Sequence, residues 1–217
     1  DGTTSRGLGD VYKRQTLEVG KKAPDFNLLG TDNLFHDLAS YSKYKLLIIS
    51  FTCNHCPYVI GSDETTRKTV EKYSQESIKL VCINSNSKNT YEEDSFENMQ
   101  ARMQEHQFPW DYLHDESQDI ASNYGALKTP HFFVFDSERS LIYTGRGIDN
   151  PRNGSESTIN DLENAIDDYL RGSIISVPVT NPIGCNIKWD GKDAHWMPPA
   201  ACAVSYTHLT LPTTNSV

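Results

Sequence analysis

From Lys45 to Phe51 the chain reads Lys-Leu-Leu-Ile-Ile-Ser-Phe, a near-continuous apolar run of strand length, and Ile78 to Asn84 repeats the pattern. Such runs suit central strands covered on both faces. Between them, Pro57 fits the first turn of a helix, where its missing N–H is no loss, and Ser62 to Ser77 predicts the rest of that helix. Strand, helix and strand together predict a right-handed parallel crossover. Upstream, Gly20 to Phe26 reads as an extended segment with Leu34 to Leu38 as its hairpin partner. Downstream, Phe96, Met99 and Met103 recur at helical spacing and predict a core-facing stripe, and Ser117 to Gly125 predicts a short helix. Thr129-Pro130 introduces a strand over His131–Asp136, with Leu141–Thr144 as its antiparallel partner. Ile159, Leu162, Ala165, Ile166 and Leu170 line one face of a last helix with acidic residues early, as the helix dipole favours. Gly172 closes it. The predicted order is β-β-β-α-β-α-α-β-β-α, an α/β protein.

The two ends change the boundaries of this reading. Ser5 to Gln15 and Val204 to Thr213 resemble translated sequencing-library adapters, in frame at both ends, and flanking sequence of that kind is excluded from fold reasoning. We therefore expect residues 1–15 and 203–217 to be non-native, 16–172 to form one domain, and 173–202 to be a loop-rich C-terminal extension. A segment of that size can bury a real core. The whole chain of 217 residues carries 20 basic and 29 acidic side chains, a net charge of −9. Without the flanks the balance is about −10. An acidic surface argues against nucleic acid or an anionic membrane as partner, and no apolar run approaches the roughly 20 residues of a membrane span. Five cysteines at irregular spacing are not a secreted disulfide framework. They suit a reducing compartment, so a cytoplasmic location is expected.

The chemistry concentrates in Phe-Thr-Cys-Asn-His-Cys-Pro-Tyr-Val, residues 51–59. A structural zinc site needs four ligands, usually as two close pairs, whereas Cys53 and Cys56 form the only such pair and Cys82, Cys185 and Cys202 are isolated. No metal and no other cofactor is expected. His36, His106, His114, His131 and His195 show no metal-type spacing. A dedicated peroxidase pocket asks for Pro-x-x-x-Thr/Ser-x-x-Cys, and the proline is absent counting back from either cysteine. Two thiols at i and i+3 where a strand meets a helix start satisfy the redox reading, because unpaired backbone N–H groups there stabilise a thiolate. His55 is expected to add positive character, lower the pKa of Cys53 and make the couple more oxidising. Cys82, within an apolar run, reads as a small core residue. The acidic stretch Glu92-Glu93-Asp94 reads as a solvated face.

Strand, CxxC, helix, strand, a later Thr-Pro before a hairpin and a final helix together resemble the thioredoxin superfamily. The opening VGKKAPDFNL is similar to its redoxin branch, which includes the alkyl-hydroperoxide-reductase/thiol-specific-antioxidant group. FTCNHCPYV, DESQDIASNYGALKTPHFFVFD and Ile183-Gly184-Cys185-Asn186-Ile187-Lys188-Trp189 resemble a bacterial thioredoxin-like family. The resemblance implies a thioredoxin-like three-layer sandwich with a central mixed β-sheet. It implies thiol–disulfide exchange with a protein disulfide or thiol, with a peroxiredoxin-like thiol peroxidase or a non-catalytic binding module as alternatives. Cys53 becomes the attacking thiol, Cys56 the resolving one, and Pro130 a cis-proline facing them. Thr129 would pair its backbone with an extended substrate. Cys185 is a candidate auxiliary thiol, and a monomer is expected. The chain departs from thioredoxin proper in having Thr52 where a Trp precedes the first cysteine and Leu47 where a buried acid lies, so proton transfer from Cys56 needs another group.

Overall fold

A computed structural model describes residues 15–191. Apart from Gln15, the adapter-like ends lie outside the described residues, as do His195 and Cys202. The strands are β1 (Asn27–Gly30), β2 (Phe35–Asp37), β3 (Leu46–Thr52), β4 (Ile78–Asn84), β5 (Asp111–His114), β6 (Lys128–Thr129), β7 (His131–Phe135), β8 (Leu141–Gly145) and β9 (Cys185–Asn186). The helices are α1 (Pro57–Ile60), α2 (Asp63–Lys72), α3 (Phe96–His106), α4 (Asp119–Tyr124) and α5 (Asp161–Leu170). Seven strands form one sheet in the order β2-β1-β5-β4-β3-β7-β8, while β6 and β9 pair separately. β3, β4 and β5 run parallel, and β7 joins β3 antiparallel. The sheet is therefore mixed, with the expected crossover between β3 and β4.

β3 shows why both its faces are apolar. Leu47, Ile49 and Phe51 point into one core with Tyr124 of α4, Phe133 and Phe135. Leu46 and Ile48 point into the other, with Met99 of α3 and Leu162, Ala165 and Ile166 of α5. Successive side chains of a strand alternate between faces, so a continuous apolar run serves two layers of cover. Phe51, Tyr124 and Phe133 meet edge to face at centroid distances of 5.4 to 5.7 Å, a favoured aromatic geometry.

Several expected boundaries are corrected. The first hairpin forms later, Asn27–Gly30 against Phe35–Asp37, and Leu34 and Phe35 face outward. The helix after the cysteines is two pieces. Ser62 Oγ bonds the carbonyls of Tyr58 (2.8 Å) and Val59 (3.1 Å), the local competition with the helix ladder that serine offers. Gly61 there lies so close to the Arg152 backbone that a Cβ would collide with it. α2 then ends at Lys72 rather than Ser77. Strand β5 was absent from the sequence reading, yet it fills the sheet between β1 and β4. In α5 the buried face is Leu162, Ala165 and Ile166, while Leu170 at its end and Ile159 ahead of it remain exposed. Cys82 is a buried core residue as expected, and burial pushes its thiol well up. After α5, Val179 runs beside Thr144 of β8, with Thr144 N–H donating to Pro178 O and Thr180 N–H donating to Thr144 O.

His131, at the start of β7, is 1% exposed. Its Nδ1 accepts from the Leu127 N–H at 3.3 Å, so Nε2 carries the proton towards Thr144 Oγ1 at 3.2 Å. Burial lowers its pKa to about 3. The unfolded chain then binds the extra proton between pH 6.5 and about 3, so stability is full above pH 6.5 and falls as pH drops. Unfolding midpoints in urea should show an acid-side loss of up to about 1.4 kcal/mol per pH unit, largely removed in His131→Gln.

Candidate active site

Cys53 follows the last residue of β3, and Cys56 is the N-cap of α1, with Pro57 as the first helical residue. Cys53 and Cys56 are 1% and 0% exposed, and Thr129-Pro130 is a cis peptide. The Thr129 side faces both thiols: Cys53 Sγ lies 3.5 Å from Thr129 Oγ1 and Cys56 Sγ lies 3.2 Å from Thr129 O. The structure thus brings the Cys53–Cys56 pair together with Thr129-Pro130, 73 residues or more further along the chain.

Cys185 joins them. β9 pairs antiparallel with β6, placing Cys185 opposite Thr129 and Asn186 opposite Lys128, and Cys185 packs against Cys53, Cys56 and Val59. The neighbouring thiols of Cys185 and then Cys53 lower the Cys56 pKa, burial works against them, and the nearby Cys185 and Val59 N–H groups add to the lowering. These donors hold Cys56 well below the ordinary thiol range, because hydrogen bonds to a charged form favour it. While protonated, Cys56 donates to Thr129 O, which opposes its ionisation. Cys185 is pushed up, first by its bond to Cys56 and then by burial. Burial, then the bond to Cys56 and then the Asp94 charge push Cys53 up, with Thr129 working the other way. The expectation that His55 would lower the Cys53 pKa is corrected: burial and its neighbours push that thiol up, and His55 is not among the main influences on it.

His55 is committed elsewhere. Its Nδ1 lies 2.8 Å from Asp94 Oδ2, off the N–H direction and so without a well-aligned hydrogen bond. Its ring stacks on Tyr91 at 4.3 Å and 18°. Asp94 is fully buried, which overturns the solvated-face reading of Glu92-Glu93-Asp94. Its Oδ1 accepts from the Asn54 N–H and its Oδ2 from Asn86 Nδ2, both at 2.7 Å. The Asp94 contact raises the His55 pKa against the effect of burial. No sequence spacing marks Asp94, because it reaches the site through the turn ahead of α3.

Among the described residues, donor atoms of Cys53, His55 and Asp94 lie within 4.8 Å of one another. Three such donors match an open zinc site in type. Both carboxylate oxygens, however, already hold hydrogen bonds from Asn54 and Asn86, an arrangement suited to orienting an imidazole. On the other side of Cys53 lies a cavity of about 20 Å³, lined by Thr52, Asp63, Arg102, Trp110 and Pro130 among others, with room for about one water-sized molecule. No helix among the described residues is long and apolar enough to cross a membrane.

The redoxin family model matches residues 18–166. A hypothetical protein from Sinorhizobium meliloti 1021 is 34% identical with a TM-score of 0.77, covering 82% of this chain and 98% of that one. An uncharacterized conserved protein from Geobacillus kaustophilus is 34% identical with a TM-score of 0.76, covering 81% and 94%. The thioredoxin domain of a thiol-disulfide oxidoreductase from Bacteroides vulgatus, at 15% identity and a TM-score of 0.54, covers 71% and 99% and shares the fold. No curated protein matches.

Proposed function

The chain belongs to the redoxin family of the thioredoxin superfamily, and on that premise we propose that it exchanges disulfides with protein partners through Cys53 and Cys56. The observation that carries this reading is the meeting of both thiols with Thr129 beside cis-Pro130. Cys53 attacks one sulfur of a partner disulfide, forming a mixed disulfide and releasing the partner's other sulfur as a thiolate. The Cys53 proton passes to the hydrogen-bonded Cys56 thiolate and on towards the His55–Asp94 pair. Cys56 then attacks Cys53 Sγ, closing the intramolecular disulfide and freeing the second partner thiolate. Two electrons move from the protein to the partner, and the reverse sequence oxidises a partner dithiol. The protein works as a monomer in this scheme, and exposed Pro57 and Ile60 offer apolar surface beside the pair.

Thiol peroxidation is the second reading, favoured by the small cavity beside Cys53, whose size suits a small oxidant and excludes a peptide. Stopped-flow oxidation of the reduced protein by a peptide disulfide and by hydrogen peroxide separates the two. Disulfide exchange should be the faster reaction, by on the order of 10-fold or more at equal concentration. Faster peroxide consumption that survives Cys56→Ser and is lost in Cys53→Ser would reverse the assignment.

A further inference from the structure

The edge of Thr129, which an extended substrate would occupy, is taken by the chain's own strand β9. The fit is specific. Gly184 lies against the Thr129 carbonyl and Pro130 N, where a Cβ would collide with the carbonyl and crowd the nitrogen. Ile187 is 2% exposed and sits in the core shared by Phe51 and Phe133. Gln118 Nε2 donates to Lys188 O at 2.9 Å, and the Asp190 N–H donates to Gln118 Oε1 at 2.7 Å. The Lys188 N–H donates to Asn86 Oδ1 at 2.9 Å, and Asn86 also holds Asp94. The strand that carries Cys185 is thus anchored at both sides of the thiol and tied to the site. Of the three thiols, Cys185 is the one with appreciable exposure. It also lies beyond residues 18–166, the span the redoxin model covers.

We propose that Cys185 is a third redox thiol: strand β9 sits on Thr129 as an internal substrate, and Cys185 exchanges with Cys56 to link the buried pair to the surface. This rests on the dithiol reading above. Once a partner disulfide has produced the Cys53–Cys56 disulfide, the Cys185 thiolate attacks Cys56 Sγ. A Cys56–Cys185 bond forms, the Cys53–Cys56 bond breaks, and Cys53 leaves as a thiolate that takes up the proton Cys185 released. The protein's oxidation state is unchanged, so the step needs no further oxidant. A reducing partner thiol then meets the disulfide at Cys185, its exposed end, by opening it to a mixed disulfide that Cys56 leaves.

Trypsin places Cys53 and Cys56 together on residues 46–67 and Cys185 on residues 172–188. Reduced protein is oxidised with glutathione disulfide, quenched with alkylating agent and mapped without reduction by mass spectrometry. In Cys53→Ser protein the two peptides should become linked through Cys56 and Cys185, on the order of 10-fold faster or more than in the Cys53→Ser, Gly184→Val double variant, whose strand cannot seat. Glutathione adducts alone in Cys53→Ser would overturn the proposal, and so would equal rates in the two variants. If wild-type protein still forms the Cys53–Cys56 disulfide in that case, the dithiol reading stands without Cys185. Wild-type protein that forms neither bond would sink both.

Discussion

Cys53→Ser protein should exchange with a protein disulfide at least about 1000-fold more slowly, since serine supplies no comparable nucleophile, and oxidation of Cys56 with Cys185 by the small glutathione disulfide is the route left to it. The loss should occur without global unfolding, because the substitution is near-isosteric and the pair lies at the end of β3, with the two cores formed by other residues. Cys56→Ser should behave differently. Cys53 can still attack, but no thiol is left at position 56 to close the reaction, so a mixed disulfide between Cys53 and the partner should accumulate. Intact-mass measurement checks this: one partner adduct per chain for Cys56→Ser and none on the nucleophilic route for Cys53→Ser. The direction of the pKa shifts adds a second expectation. Because burial holds Cys53 up and the donors around Cys56 hold that thiol down, Cys53 in Cys56→Ser protein should alkylate slowly at neutral pH and speed up as the solution is made alkaline.

The second large effect is expected at Asp94. Asp94→Ala removes the acceptor of the Asn54 N–H and Asn86 Nδ2 and strands both donors in a buried site, so a cost of about 3 kcal/mol in urea unfolding is expected. Asp94→Asn keeps the shape and isolates the charge. Asp94 raises the His55 pKa, while burial and Lys188 lower it. Without the carboxylate the His55 titration, followed by NMR, should therefore fall to its ordinary value near 6.5 or below. Asp94 also raises Cys53, and His55 is not among the main influences on that thiol. The alkylation midpoint of Cys53 should accordingly move to lower pH in Asp94→Asn. A proton relay through His55 predicts a roughly 10- to 100-fold slower resolving step as well. A purely structural Asp94 would change the unfolding midpoint and leave both titrations in place.

The strands that could be read from sequence are those whose pattern is set by burial alone. Leu46–Thr52 and Ile78–Asn84 are apolar at nearly every position because both faces are covered, and nothing local competes with that signal. Asp111–His114 is just as central in the sheet but has polar ends, and these are satisfied only by distant partners: Asp111 by Tyr41 Oη at 3.0 Å and Lys79 Nζ at 2.7 Å. No window of sequence contains those partners. The break at Ser62 is similarly hidden, since serine can bond back to the helix carbonyls or face solvent, and the close approach of the Arg152 backbone to Gly61 comes from a distant loop.

The site divides along the same line. Cys53, Cys56 and Thr129-Pro130 are marked by spacing and by order along the chain. Asp94 stood in an acidic run that on composition belongs at the surface, and its burial depends on Asn86, the Asn54 backbone and His55 converging on it. His55 is marked by its place between the cysteines, but its partner Asp94 lies 39 residues later, in a different element. Cys185 could be named as a thiol from sequence. Its place opposite Thr129 follows from a two-residue strand pairing that carries no local pattern.

Disulfide exchange through this pair requires that Cys53 and Cys56 form one reversible disulfide. Reduced protein equilibrated against defined thiol buffers, acid-quenched, alkylated and peptide-mapped gives that answer directly. The expected result is a single two-electron transition between about −120 and −270 mV, with loss of alkylation at both cysteines together. Cys53 and Cys56 alkylated across that whole range, in protein that is folded throughout, would contradict it.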